Sequence, residues 1–230
     1  MTTDLTLSEK YLLLCYHPEK GRLLHTATYA NYGLAGAILL EMAERGICKI
    51  KNNRLVLIDN KLSGDKALDL VIARIAKANR PKKLSSWIST ITQSVLCLKI
   101  KQAVRDSLMQ KRILSKREKT ALLIFKYNRY PARNTKPRRQ IIQDIQNLVI
   151  KRQIGNNQTM LLIALIGASK MTKSFFLPED RKVANKRIKE ITKNNAFTKM
   201  IDSTVTAVQA AVLAAITAAT LVTATSTSSN

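Results

Sequence analysis

The sequence predicts a mainly α-helical, single globular domain with short β-hairpins, and three observations support this prediction. Apolar residues recur at helical spacing in several long segments of the 230-residue chain. Only seven glycines and five prolines interrupt the chain, which leaves room for long helices. Aromatic residues make up only 5% of it, so aliphatic side chains packed between helices must supply most of the core. A chain of this length can fold as one domain.

The first elements follow from local patterns. A helix is predicted over 6–15, with Ser8 and Glu9 close to a capping pattern, and a turn over 17–21. A second helix starts at Gly33, with Glu41 and Glu44 largely off its apolar side and Gly46 as the left-handed residue after it. The apolar side of this helix is formed by Leu34, Ile38, Leu39, Met42 and Ala43.

A small hairpin is predicted next, because two short apolar runs, 47–50 and 54–58, flank Asn52-Asn53. Ser63-Gly64-Asp65 then opens a helix over 66–78, whose apolar face comprises Leu68, Val71, Ile72, Ile75 and Ala76. Ser85 is predicted to cap a helix that runs to Ile91 or beyond, and another helix covers 100–110.

The segment from Ile113 to Pro131 predicts a second hairpin. Its two apolar runs, Ile113-Leu114 and 121–125, flank a polar, basic centre. Downstream, helices are predicted over 140–150, 158–168 and 180–192, the last one begun by Pro178-Glu179-Asp180.

The end of the chain carries no charge from Ser203 to Asn230. The stretch 205–223 is long enough to raise the question of a transmembrane helix. Its many alanines and threonines make it only weakly hydrophobic, so the sequence favours a helix buried in the bundle. The predicted domain covers 5–222, and 223–230 is predicted to be a disordered tail.

Cysteine usage and the N-terminus both favour a cytoplasmic protein. Cys15, Cys48 and Cys97 are odd in number and far apart, and two of them lie in apolar periodic segments, so we expect buried, reduced thiols. The first residues lack the basic region of a secretory signal, and Glu9 and Lys10 interrupt the first apolar run.

The net charge of +24, from 39 Lys and Arg against 15 Asp and Glu, is the strongest compositional signal. Residues 99–139 contain fourteen basic side chains and two acidic ones, Asp106 and Glu118. An anionic membrane surface or a nucleic acid could both use such a face. A solvated basic surface without a specific partner is the alternative.

Motifs for catalysis are absent from the sequence. Neither His17 nor His25 has an acid and a nucleophile at diagnostic spacing, and no HExxH, GxSxG, P-loop or GxGxxG occurs. The sequence therefore predicts a binding protein that is not an enzyme and that has no cofactor or metal site.

Several sequence blocks recur in a fixed order along the chain. The leading block is Leu5-Thr6-Leu7-Ser8-Glu9 with Leu12 to Leu14, and the second is Gly33-Leu34-Ala35-Gly36-Ala37 with 39–46. The later blocks are Ser63-Gly64-Asp65, 81–88 with Trp87, Ile113-Leu114, Arg129-Tyr130-Pro131, 161–168 and 207–212. In this order, and over about residues 5–219, the blocks resemble the Golgi phosphoprotein 3 (GPP34-type) family. The chain is identified as a divergent member of this family, and a bacterial source is left open.

The resemblance implies an adaptor that binds phosphatidylinositol 4-phosphate at the cytoplasmic face of a membrane, the Golgi in a eukaryote. The family's pocket uses a tryptophan, an arginine and two basic residues three apart. By position these fall on Thr26, Ala35, Leu98 and Lys101, of which only Lys101 keeps a cation. Lys99 and Arg105 are the neighbouring cations, so Lys101, Lys99 and Arg105 are the predicted headgroup-binding residues.

The resemblance also implies further partners. In the family the second hairpin projects and helps self-association, which here assigns Leu123, Ile124, Phe125 and Tyr127 to a homo-oligomer contact; a hairpin laid on the core is the alternative. A membrane-protein cargo is implied as well. The competing hypothesis for the whole chain is a basic nucleic-acid-binding protein that uses a helix and wing.

Overall fold

The computed structural model describes residues 4–121, 124–193 and 199–227. Within these ranges the fold is a bundle of nine α-helices with two separate two-stranded antiparallel hairpins, which confirms the predicted fold class. The helices are α1 Leu7–Cys15, α2 Ala27–Glu44, α3 Lys66–Ala76, α4 Leu84–Thr92, α5 Ser94–Gln110, α6 Lys136–Val149, α7 Asn157–Ala168, α8 Arg181–Lys193 and α9 Lys199–Thr227. The strands are β1 Cys48–Lys51, β2 Arg54–Leu57, β3 Arg117–Ala121 and β4 Phe125–Arg129, and a short 3₁₀ turn covers Thr172–Ser174.

Helix α2 is the centre of the bundle. It packs against α1, α4, α7 and α9, and its residues from Gly33 to Met42 are all buried. The prediction that Glu41 lies off the buried side is wrong, because the residue is 3% exposed and its carboxylate accepts hydrogen bonds from the Ser8 backbone and the Arg45 guanidinium. A helix surrounded by other helices has no solvent face, so amphipathic spacing misplaces its polar residues.

The start of α2 also differs from the prediction. The helix begins at Ala27, and Gly33 lies inside it against the Tyr11 ring. Gly33 is thus a packing residue, because it gives Tyr11 of α1 the space that a larger side chain would fill.

Other local predictions are confirmed or corrected by the capping geometry. Thr6 and Glu9 form a reciprocal capping box at α1, and Asp65 caps α3. Lys83, and not Ser85, is the residue before α4. Ala76, predicted to lie on the apolar face of α3, is exposed.

The first hairpin is confirmed. Asn52 and Asn53 both adopt positive φ, 50° and 56°, between paired strands, which is the geometry of a tight two-residue turn. Gly46 has a φ of +71° after α2, as predicted.

The second hairpin exists, but its register differs from the prediction. The strands are the polar segments 117–121 and 125–129, and Ile124 and Phe125 of the apolar run lie at or next to the turn. Residues 122–123 lie outside the described ranges. Ile113 and Leu114, predicted as strand residues, are buried before β3 begins. The exposure of Ile124 and Phe125 fits the projecting hairpin that the resemblance implies better than the alternative of a hairpin laid on the core.

The C-terminal helix is a core element, as predicted. Val205, Val208, Val212 and Ile216 of α9 are buried, and α9 packs chiefly on α2 and α4. Among the described residues, no helix has the length and hydropathy needed to cross a membrane. The helix reaches Thr227, so 223–227 is helical where a disordered tail was predicted; 228–230 lies outside the described residues.

The three cysteines are buried and unpaired, as predicted. Burial raises the pKa of Cys15 and Cys48 to about 12, so both thiols stay protonated and act as small apolar side chains.

Candidate functional site

Lys101 and Arg105 form a cationic pair on α5. They lie one helical turn apart on the same face, and the Arg105 Nε donates a hydrogen bond of 2.9 Å to the Lys101 carbonyl. The guanidinium carbon lies 4.4 Å from the centroid of the Tyr130 ring, within cation–π range. Among the described residues, no carboxylate forms an ion pair with either side chain. The pair can therefore bind an external anion without breaking an internal salt bridge.

An aromatic floor holds Arg105 in place. The Tyr130 and Tyr16 rings lie 5.7 Å apart between centroids. Burial raises the pKa of Tyr16 to about 12, although nearby Arg105 opposes this shift. Tyr16 is therefore neutral at physiological pH and adds no negative charge beside the guanidinium.

The position of Tyr130 depends on the turn after α1. The Tyr130 amide donates to the Gly21 carbonyl at 2.9 Å, and the Ala132 amide donates to the Pro18 carbonyl at 2.7 Å. Gly21 has a φ of +60°, and a Cβ there would overlap the backbone of Tyr130 and Pro131. This glycine therefore lets the turn seat the base of the second hairpin beside α5.

The structure separates Lys99 from the pair. Residues two apart on a helix point to different sides, so Lys99 lies at the opposite edge of the exposed surface of α5 from Lys101. Leu98, at a position where the family has a cation, is 57% exposed and lies one turn before Lys101 on the same side. The local surface is thus two cations beside an exposed leucine.

The two family positions on α2 lie in different environments. Thr26 is the exposed N-cap residue, and its side chain makes no capping hydrogen bond, so the first amides of α2 are left for water or an anion. Ala35 is fully buried. Within the described part of the chain, no hydrogen bond, ion pair or ring contact joins either residue to Lys101 or Arg105.

Sequence reasoning missed the environment of His25. Its Nε2 lies 2.6 Å from the Ser174 Oγ, which brings the 3₁₀ turn and Lys173 to the N-terminus of α2. Burial lowers the pKa of His25, so the ring is mainly neutral near pH 7. The two residues are 149 positions apart in the sequence, and no local pattern could have paired them.

The second hairpin is a basic projection. Strands β3 and β4 pack mainly against each other, and nearly all of their residues are exposed. Its acid, Glu118, pairs with Lys126 at 3.3 Å. Ile124 and Phe125 are 74% and 62% exposed, and Tyr127, with Arg129 over its ring at 4.8 Å, is 38% exposed. Leu123 lies outside the described residues. A cationic stem therefore carries an exposed apolar tip.

Two acidic residues that line a polar cleft have structural partners. A cleft of 730 Å³ includes Glu9 and Asp65. Glu9 accepts hydrogen bonds from the Thr6 amide at 2.8 Å, the Ser107 hydroxyl at 2.6 Å and the Lys111 ammonium at 2.7 Å. Asp65 caps α3. Across the described ranges, no group of three or more His, Cys, Asp or Glu side chains is arranged to hold a metal ion.

Comparison with known proteins identifies relatives over most of the chain. The family model for Golgi phosphoprotein 3 (GPP34) matches residues 7–223. Vacuolar protein sorting-associated protein 74 of Schizosaccharomyces pombe is 28% identical over 169 residues, which cover 65% of this chain and 50% of that protein. The chain thus spans about half the length of this curated relative.

Proposed function

Because this chain belongs to the Golgi phosphoprotein 3 family, we propose that it is a non-catalytic peripheral membrane protein that binds anionic phospholipid headgroups and acts as an adaptor. The observation that carries this proposal is the Lys101–Arg105 pair, which has an aromatic floor and no acidic partner among the described residues. Guanidinium and ammonium groups at one surface are suited to phosphate oxygens.

The surroundings of the pair favour a bilayer over a free anion. Leu98 is exposed beside the pair, and the basic hairpin with Ile124 and Phe125 begins at the segment that Tyr130 anchors. Cations combined with exposed apolar side chains are typical of surfaces that enter the interfacial region of an anionic membrane. The same apolar tip is a candidate contact between copies of the chain.

Binding to phosphatidylinositol 4-phosphate is the finer form of the proposal. Thr26, Ala35 and Leu98 stand where the family pocket has its tryptophan, arginine and first basic residue. Lys101 alone supplies a point charge without the fork of an arginine. We therefore expect little discrimination between this lipid and other anionic lipids at equal surface charge.

Vesicle sedimentation tests the proposal. Neutral vesicles, phosphatidylserine vesicles and phosphatidylinositol 4-phosphate vesicles of equal charge should be compared at two salt concentrations. Each cation at the surface contributes about 1 kcal/mol and is screened by salt. Lys101→Glu, which leaves the Arg105 stack in place, should therefore weaken binding to both anionic vesicles more than fivefold.

The control is matched in charge. Lys51→Glu changes an exposed lysine of β1 by the same two units and should weaken binding far less. Equal losses for the two variants, or equal binding to neutral vesicles, would refute a headgroup site on α5. Headgroup-specific binding by the wild type would instead show that other residues rebuild the pocket. Of the two substitutions that would restore the family's pocket residues on α2, Thr26→Trp places an aromatic side chain at an exposed position. Ala35→Arg would instead place a charge at a fully buried position.

Nucleic-acid binding is the second candidate, supported by the net charge of +24. Duplex DNA in the same assay separates the two functions, since phosphate-backbone binding falls steeply with salt. Submicromolar DNA binding at physiological salt, together with weak vesicle binding, would favour this alternative.

A further inference from the structure

Helix α8 carries a row of lysines that the α5 surface does not use. Lys182, Lys186 and Lys189 are spaced i, i+4 and i+7, so they lie on one line along about 10 Å of the helix. All three side chains are exposed. In the described ranges none of them forms an ion pair, and the nearby Glu190 pairs with Arg187 at 3.2 Å.

The row is held outward by the packing of the opposite face. Ala184, Ile188 and Ile191 of α8 are buried, and Ile188 packs so closely on α7 that a Cβ at Gly167 would lie 2.8 Å from it. The apolar face is thus committed to the core, so the helix can act only through its exposed side. That side is a rigid line of positive charge.

Exposed apolar residues flank the row and indicate the partner. Leu177 lies in a turn that is closed by a hydrogen bond from the Asp180 amide to the Leu177 carbonyl, and it is 62% exposed. Val183 is 53% exposed. A nucleic-acid backbone offers such side chains no contact, whereas the boundary between lipid headgroups and acyl chains does. Lysine point charges also suit the mobile charges of a fluid anionic surface.

Helices α5 and α8 pack on different parts of the bundle. Helix α5 packs on α1, α3 and α4, and Glu9 of α1 contacts its Ser107 and Lys111. Helix α8 packs on α6, α7 and α9. The two basic surfaces are therefore carried by helices with different neighbours.

We propose that the α8 row, with Leu177 and Val183, is a second surface for anionic bilayers and that it faces away from the α5 pair, so that one chain can bridge two membranes. Bridging rests on the proposed function of the α5 surface, but lipid binding by α8 does not. Two sites that cannot reach the same bilayer join two vesicles without any new contact between proteins.

The test compares vesicle attachment with vesicle clustering. The probe is vesicles of 70% phosphatidylcholine and 30% phosphatidylserine, with attachment measured by sedimentation and clustering by dynamic light scattering. The variant Lys182→Glu/Lys186→Glu/Lys189→Glu should abolish clustering while attachment falls by less than about threefold, because the α5 pair remains. Lys51→Glu/Lys61→Glu/Lys66→Glu, which changes three exposed lysines by the same charge, should cluster vesicles like the wild type.

A second pair of variants isolates α8 from the α5 surface. In a Lys101→Glu background, adding the α8 triple change should reduce the residual attachment at least tenfold further, towards that of neutral vesicles. If this further loss occurs while Lys101→Glu alone changes nothing, the α8 surface stands and the α5 proposal fails. If the α8 change costs nothing in this background, the α8 proposal is overturned.

Other outcomes also decide against α8. Clustering through a dimer whose copies both bind by α5 would survive the α8 change, and that result would overturn the bridging proposal. A loss of duplex DNA binding in the α8 variant, with vesicle clustering intact, would assign the row to nucleic acid instead. Equal melting temperatures for the variants and the wild type ensure that folding does not produce these differences.

Discussion

Gly33→Ala should destabilise the protein although alanine is the better helix former. Gly33 lies inside α2, and a Cβ there would overlap the hydroxyl and Cζ of Tyr11 and lie 2.9 Å from its Cε2. Tyr11 is fully buried, and its hydroxyl donates towards the Met171 sulfur at 3.2 Å and the Tyr29 carbonyl at 3.3 Å. The ring therefore has no open space into which it can move.

The magnitude follows from two opposing terms. Replacing glycine by alanine inside a helix gains about 1 kcal/mol, and overpacking a tight core costs about 1–3 kcal/mol, or more where rigid groups overlap. The overlap at Gly33 involves an aromatic ring, so the cost lies at or above the top of that range. We expect a net loss of roughly 2 kcal/mol in the free energy of unfolding.

Gly36→Ala is the matched control in the same helix. A Cβ there would meet methyl groups, those of Leu165 and Val212 at 2.8 Å and that of Val208 at 3.4 Å, and side-chain ends of this kind can shift. Urea denaturation of both variants with equal m-values measures the difference. If Gly33→Ala were as stable as the wild type, or no less stable than Gly36→Ala, the proposed role of Gly33 in the α1–α2 contact would be wrong.

Three further predictions concern the core, the buried acid and the hairpin. Leu39→Ala removes a fully buried side chain and should cost about 2–5 kcal/mol in denaturant melts; a loss near zero would mean that this side of α2 is not packed. Burial raises the pKa of Glu41, opposed by the Ser8 amide and by Arg45. A raised pKa of the folded state means that the carboxyl binds its proton more readily after folding, so stability from this group increases as pH falls through the folded pKa towards about 4.5. The free energy of unfolding of the wild type, measured relative to Glu41→Gln, should therefore increase as the pH is lowered from 7 to 4.5. A decrease over the same range would contradict burial as the dominant cause of the raised pKa. Ile124→Ser/Phe125→Ser changes two exposed side chains, so it should alter stability by less than about 0.5 kcal/mol while reducing self-association in sedimentation velocity; unchanged association would remove the hairpin tip from the contact.

Much of the architecture was predictable because it is encoded locally. Helical spacing, the Asn52-Asn53 turn and the Asp65 cap each act over a few residues, so their patterns survive in any tertiary context. The family resemblance, carried by ordered blocks across the chain, is confirmed by the match over residues 7–223.

The second hairpin shows where local patterns are insufficient. An apolar run such as 121–125 is equally consistent with a buried strand and an exposed tip. The base of the hairpin is fixed by contacts between remote residues, which are the Leu114–Ala132 bridge and the hydrogen bonds from Tyr130 to Gly21 and from Ala132 to Pro18. Whether an apolar run stabilises the core or contacts a partner depends on its position in the fold, and the sequence pattern does not give that position.

The sequence proposes Lys101 and Arg105 for the candidate site but not the aromatic residues beneath Arg105. Charge counting led to residues 99–139, and Lys101 and Arg105 form a pair there. The floor under Arg105 required Tyr16 and Tyr130, which are remote in sequence and meet only in the folded chain. The contact between His25 and Ser174 is of the same kind.

The sequence by itself determined the helical class, the family, the basic character and the residues available for anion binding, because composition and local periodicity record these properties. Tertiary structure alone decided that Glu41 and Ala35 are buried and that the α5 and α8 cations are carried by helices with different neighbours. The physical reason is that burial and direction depend on which helices surround a residue. That neighbourhood is set by packing across the whole chain and not by the residues beside it.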